Sequence, residues 1–503
     1  MTNLSPTNLT PGSFIQLNIP LGPGSVPDTA PSTLYIGNKV STAPGVVNQL
    51  YGPDVVGFTV LTHADVVSTF GLGSELNVIF NAGNLNDNTY TKKYFIAAPE
   101  STGSAASATV TLTGTAATSF GSITTSAFGS QVTTAVSNGD TAATICTNIA
   151  TSINTQTEWG MSASASSNTV VITAKNKGPR GNSIRFACQV NNGLTGITSS
   201  AQSFATLTGG TVEDVWTTTL ANIANRTFTL IVSGAEDPSV NGNAGLLSAQ
   251  ITSQNLAVPG LPCRMVDGYV GTEALAASFT NTLNNVFGAC AWELNSNYTP
   301  GQLAAHLAGA IAACENQSTP IFNMDGVGTR PGTEAFWQFG VPFDGTMTSP
   351  TDVVNALLSG LTPIATTSTG KTKVVKACTM YHVNPSTSTL DLRATDWCDV
   401  FIGNLVRSAL KQMWSTSFNG KTAAQNPQPG DKAPNSMVVT PDILTASINK
   451  QLLRAIDNGW IQDFNVAFQS LTATGTFNYV VEIQPIILAH QFNVDLNVTT
   501  AIL

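Results

Sequence analysis

Charge is scarce in this chain. Asp, Glu, Lys and Arg make up 10% of its 503 residues, against roughly a quarter in an average soluble protein. Ser, Thr, Ala, Asn and Gly fill the space. Twenty basic residues stand against 29 acidic ones, for a net charge of −9, which argues against general nucleic-acid binding. No apolar run approaches the roughly 18–20 residues of a membrane span. No basic residue precedes Lys39 and no apolar core lies near the start, so a signal peptide is not expected. The seven cysteines include no CxxC pair, and the closest two, Cys378 and Cys398, are 20 positions apart. That excludes the common zinc spacings and fits buried free thiols in a chain made in a cytoplasm.

What is present is length and pattern. A chain of 503 residues calls for roughly two to four domains. Around 440–459, Leu444, Ile448, Leu452 and Ile456 recur every four residues, with Thr440 as a cap, Pro441 at the first helical position and Gly459 as a stop. The opposite face carries Ser447, Lys450, Arg454 and Asp457. A second helix, about 399–414, has Phe401, Leu405, Ala409 and Met413 as its stripe, with Arg407 and Lys411 pointing away, as on a solvated face.

Both ends alternate with period two. Ile15, Leu17 and Ile19 share one face and Phe14 lies on the other. Near the C-terminus Phe492, Val494, Leu496, Val498 and Ile502 share a face. A patterned strand on a Gly/Pro-rich tether suits pairing with an exposed sheet edge, of this subunit or a neighbour.

From Ser101 the composition turns to Ser, Thr, Ala and Gly. Strands are predicted at 108–113, 131–136, 169–174 and 183–189. A helix capped by Asp140 puts Ala142, Ile145, Ile149 and Ile153 on one face. Lys175, Lys177 and Arg180 sit in the Lys-Asn-Lys-Gly-Pro-Arg-Gly-Asn turn, read as a solvated basic loop. Beyond Gly210, strands and helices alternate up to Glu315, which predicts a parallel sheet covered by helices.

Catalytic signatures are missing. There is no HExxH and no GxSxG. The Gly-Lys-Thr runs at 370–372 and 420–422 lack the first P-loop glycine, Ala365 and Ser415 standing there. His63, His306, His382 and His490 are far apart in sequence, and Gly71 and Gly73 read as a helix-connecting turn. No cofactor or metal is expected.

Three stretches carry a resemblance. One is Phe70-Gly-Leu-Gly-Ser-Glu-Leu76 between a short helix and a strand. Another is the capped Ala/Ile helix, strand and Ala-Lys-Asn-Lys-Gly-Pro-Arg-Gly-Asn turn of 140–182. The third is the block from Val438-Val-Thr-Pro-Asp-Ile443 through Leu452-Leu-Arg-Ala-Ile-Asp-Asn-Gly-Trp to Gln491-Phe492. In order and spacing the chain resembles Mu-like contractile phage tail sheath proteins. The resemblance implies an α/β and α+β multidomain fold. It divides into an N-terminal arm (1–20), a first part of the sheath core (21–100), an inserted β-rich domain (101–195), a middle α/β domain (196–375), a C-terminal sheath core domain (376–489) and a C-terminal strand arm (490–503). It further implies a helical homo-polymer round a tail tube protein, with baseplate and tail terminator proteins as further partners, in the virion after assembly in the host cytoplasm, and no enzymatic activity. The basic face at Lys450 and Arg454 would then be a candidate for meeting the tube. A related injection machine, such as an R-type bacteriocin or a type VI secretion system, is one alternative. An α/β hydrolytic enzyme with accessory β domains is the other, and a polar cluster in a deep pocket of the middle domain would favour it.

Overall fold

The computed structural model describes residues 32–87, 91–191, 193–256, 261–315, 339, 342–366, 372–428, 435–472 and 475–485. The arm residues Phe14, Ile15, Leu17, Ile19, Phe492, Val494, Leu496, Val498 and Ile502 lie outside them.

The described residues begin with β1 (Ser32–Gly37) and β2 (Leu50–Tyr51), then α1 (His63–Phe70), α2 (Glu75–Asn86) and β3 (Lys92–Ala97). Thr62 and Asp65 form a reciprocal capping box at α1, and the Ser74 side chain caps α2. The next stretch folds as a β-sandwich. Its strands are β4 (Ala105–Thr113), β5 (Gly121–Ala127), β6 (Ser130–Val136), β7 (Met161–Ser166), β8 (Thr169–Lys177), β9 (Arg185–Val190), β10 (Thr198–Ser199) and β11 (Ala205–Thr206). They form two four-stranded sheets, ordered β10-β4-β8-β7 and β11-β9-β5-β6. Helix α3 (Ala142–Thr155) lies against the edge strands β6 and β7 of the two sheets. It buries Ile145, Ile149 and Ile153. Its cap is Thr141, one residue later than the pattern suggested; Asp140 instead accepts from the Ser137 amide. Asn154 of α3 pairs with the backbone of Ala163 on β7 through both its amide atoms, which blunts that open edge.

The chain then returns through α4 (Thr217–Ala221) to β12 (Leu230–Val232), α5 (Asn243–Gln254), β13 (Met265–Val270), α6 (Glu273–Leu283), β14 (Gly288–Glu293), α7 (Pro300–Glu315), α8 (Pro350–Leu358), β15 (Thr362–Thr366) and β16 (Thr372–Val374). With β1 to β3 these strands make one eight-stranded sheet, ordered β16-β15-β14-β13-β12-β1-β3-β2. Every pairing is parallel except at the two edges. Side chains alternate across it. Leu34, Ile36 and Ile231 enter one apolar layer with α5 and α6, while Tyr35, Phe95 and Val232 enter the other with α2 and α7. Helix α7 is apolar all round, and residues 300–314 are all buried.

The C-terminal part covers that second layer. Two small strand pairs, β17 (Val383–Asn384) with β18 (Thr389–Leu390) and β19 (Thr422–Ala423) with β20 (Val438–Val439), flank α9 (Trp397–Ser417). Helix α10 (Pro441–Asp457) and a hairpin of β21 (Ile461–Leu471) and β22 (Phe477–Pro485) follow. Helix α10 buries Leu444, Ile448 and Leu452 as its pattern requires, while Ile456, the fourth member of the stripe, packs against the core only partly buried. Thr440 stands at its cap but makes no side-chain capping bond; Asn426, from the loop before, accepts from the Asp442 amide at 3.0 Å instead. A buried ion pair, Arg264 to Glu315 at 2.5 Å, takes a further bond from Trp397 and so ties α9 to the sheet.

Candidate functional site

A doubly wound sheet opens a crevice where the chain order reverses, outside the carboxyl ends of the strands. Here that point lies between β1 and β12, because the chain runs from β1 to β3 on one side and to β12, β13 and β14 on the other. The β-sandwich is inserted in the very connection that crosses from β3 to β12. Its turn at Pro179–Ser183 reaches into the crevice.

Arg180 is the centre of the contact. Its guanidinium donates to Glu75 Oε1 at 2.6 Å, to Asp214 Oδ2 at 2.5 Å and to Asn38 Oδ1 at 2.7 Å, and it lies 5.5 Å from the Trp216 ring. Only 9% of the side chain is exposed. Lys177 is exposed as expected, but the solvated loop expected from sequence is corrected for Arg180: a guanidinium surrounded by carboxylates gains more from them than it loses in hydration. Burial works against the Arg180 charge, but Asp214 and then Glu75 outweigh it and raise the pKa. Other residues of the turn also face inward. Lys175 Nζ donates to the Leu72 and Thr157 carbonyls, and Asn176 both accepts from the first amide of α2, on Glu75, and donates to Lys39 O. Ser183 donates to Glu236. Gly73 is required by this approach: a Cβ there would stand 2.2 Å from Lys175 Nζ, and its φ is +68°.

Beneath Arg180 lies a largely acidic floor drawn from five elements. Asn38 follows β1, Glu75 opens α2, Glu213 and Asp214 precede α4, Glu236 follows β12 and Asp267 lies on β13. Burial pushes Glu213 and Glu236 each up to about 7, and raises Glu75 and Asp267 as well. Asp267 is held by the Ser233 hydroxyl at 2.9 Å and by the Gly268 amide. The cavity left between sandwich and sheet is about 60 Å³, room for a few waters. The polar cluster that would favour a hydrolase is thus present, but the chain's own arginine fills it. No signal in sequence marked it, since the three residues that bond Arg180 are 34 to 142 positions from it.

The remaining candidates are dispersed. His63 contacts Asn77 and Glu158, His306 is fully buried beside Tyr298 with its pKa pushed down to about 3 by burial, and His382 bonds Met380 O. Among the described residues no group of His, Cys, Asp or Glu could hold a metal ion, and all seven cysteines are buried. The Gly-Lys-Thr run at 420–422 follows the C-terminal end of α9, the wrong end for cradling phosphate. Arg407 is a second correction. It is 3% exposed and donates to the Asn255 and Leu256 carbonyls at the end of α5, a cap rather than a solvated face. Lys450 and Arg454 are exposed on α10, one turn apart.

The hairpin of β21 and β22 contrasts with all of this. Among the described residues it is a two-stranded sheet with no third strand. Phe464, Val466, Tyr479, Val481 and Ile483 pack against the core yet remain only partly buried.

No family model and no curated protein matches the chain. Among solved structures it is similar to a sheath tail protein from Desulfitobacterium hafniense, with 11% identity and a TM-score of 0.44 over 94% of this chain and all of that one. It is similar also to a chain of the anti-feeding prophage baseplate, with 10% identity and a TM-score of 0.44 over 98% of this chain and 99% of that one.

Proposed function

We propose that this protein is the sheath subunit of a contractile phage tail, a structural chain that polymerises helically round a tail tube and contracts to drive the tube through a host envelope. The observation that carries the reading is the C-terminal hairpin. Strands of 11 and 9 residues rest one face on α10 and the core, yet among the described residues neither edge carries a third strand and the packed apolar side chains stay half-covered. The alternating segments at 13–19 and 492–502 are of the right length and pattern to extend the hairpin, from this subunit or from neighbours. Each donated strand would contribute several backbone hydrogen bonds, at about 0.5–1.5 kcal/mol net apiece, and such a link survives while rigid domains rotate. The order and spacing shared with Mu-like sheath proteins support the same reading. A hydrolase is less well supported, because Arg180 occupies the polar cluster it would need.

Electron microscopy of the purified protein tests the proposal. Tubes or rings are expected from the full chain, and deletion of residues 1–20 or 490–503 is expected to leave a folded protein that no longer polymerises. Unchanged tubes after both deletions would remove the role given to the arms; a full chain that stays monomeric at high concentration would count against the sheath reading itself.

A further inference from the structure

We propose that the Arg180 contact is a proton-controlled latch, closed when the acidic floor beneath it is partly protonated and opened as that floor ionises, so that the β-sandwich swings away from the sheet at alkaline pH. The geometry supplies the parts. At the crevice the contact between the two bodies is polar: Arg180, Asn176 and Ser183 meet Glu75, Asp214, Asn38, Lys39 and Glu236, and Lys175 reaches the Leu72 carbonyl. A second contact, Arg185 to Asp344 at 2.6 Å with Phe204 against Phe343, joins the sandwich to the loop before α8 and is the pivot about which the sandwich would turn. The sandwich has its own apolar core, closed by α3, and does not share one with the sheet.

One guanidinium faces five carboxyl groups. Glu75 comes from α2, Glu213 and Asp214 from the segment before α4, Glu236 from the end of β12, and Asp267 from β13; Asp237 and Tyr269 lie close enough to be felt by Glu213 and Glu236. A single cation cannot balance all five once they ionise. Burial holds Glu213 and Glu236 near 7, against an ordinary 4.5. Groups raised in the closed state stabilise it fully below their ordinary value, and that contribution is lost as pH rises through about 7. Opening returns the carboxylates to water.

The test is amide hydrogen exchange on the full chain, corrected for the intrinsic pH dependence of exchange. At the latch the Asn38 amide donates to Glu75 Oε2 and the Glu75 amide donates to Asn176 Oδ1, while the amides of β5 and β14 serve as controls. Between pH 6 and 8.5 we expect at least about a ten-fold rise in corrected exchange at Asn38 and Glu75 with the controls unchanged. The pair Glu213→Gln with Glu236→Gln should abolish that rise, and Arg180→Gln should open the contact at both pH values. No rise in the parent chain, an equal rise in the double variant, or a rise spread over the controls would each overturn the latch. Should Arg180→Gln fail to fold, the double variant alone decides.

Discussion

The two ends of the sheet's covering are held by opposite means. On the crevice side the β-sandwich meets the sheet through the Arg180 guanidinium, Lys175, Asn176 and a set of carboxylates. On the other side α9, α10 and the hairpin meet it through Trp397, Phe401, Leu444, Ile448 and Leu452. Apolar burial is non-directional and indifferent to pH, at about 1.5–3 kcal/mol for each large side chain. The polar contact depends on geometry and on protonation, and it holds only while every partner is present. The difference suggests a division of labour: a permanent bond where helices must stay, and a conditional one where a whole domain can move.

Removing one partner should expose that difference most sharply. Arg180→Ala removes the counter-ion of Glu75 and Asp214 and with it the contact, and a loss of up to about 3–5 kcal/mol is expected in denaturant unfolding, less where opening returns the two carboxylates to water. Combining Arg180→Met with Glu75→Gln and Asp214→Asn should recover much of it, because no unpaired charge remains. A triple variant as unstable as the single one would mean that packing, not charge, holds the contact.

The apolar side should respond by volume instead. Leu452 is 1% exposed and Ile448 5%, so Leu452→Ala is expected to cost about 2–5 kcal/mol and Ile448→Val about 0.5–1.5 kcal/mol. Neither loss should depend on pH between 6 and 8.5. A pH-dependent loss at Leu452 would show that the two sides are coupled, and would blur the division drawn above.

The apolar side was legible in sequence and the polar side was not, for a physical reason. The stripe of α10 is a local property: its members repeat within four residues, and the structure confirms Leu444, Ile448 and Leu452 as buried. The strand–helix alternation from 230 to 315 is likewise local, a matter of short apolar runs separated by helical segments. Arg180 and Arg407 carry no such mark. Each looks like an exposed cation until the fold brings it a carboxylate cluster or a helix end from distant sequence. Caps fell between the two cases. The sequence offered a Ser, Thr, Asp or Asn near the right place, but whether Asp140 or Thr141 bonds the helix, or Asn426 replaces Thr440, depends on where the preceding loop runs.

The smallest effect is expected where the surface faces outward, and it separates folding from assembly. Lys450 and Arg454 lie on the exposed side of α10; Arg454 makes one long contact, 3.5 Å to Gln451 one turn before. An exposed cation with no close counter-ion contributes little to stability. Lys450→Glu with Arg454→Glu should therefore leave the unfolding midpoint and the far-UV spectrum of the isolated chain unchanged. In the proposed sheath the same reversal should weaken assembly on the tube, most at low salt, because ion pairs across such a contact are screened over about 8–10 Å at ordinary ionic strength. Sheath-only polymers should still form. A drop in the stability of the isolated chain would place these side chains in the fold; unchanged assembly on the tube at every salt concentration would leave the face to solvent or to a neighbouring subunit.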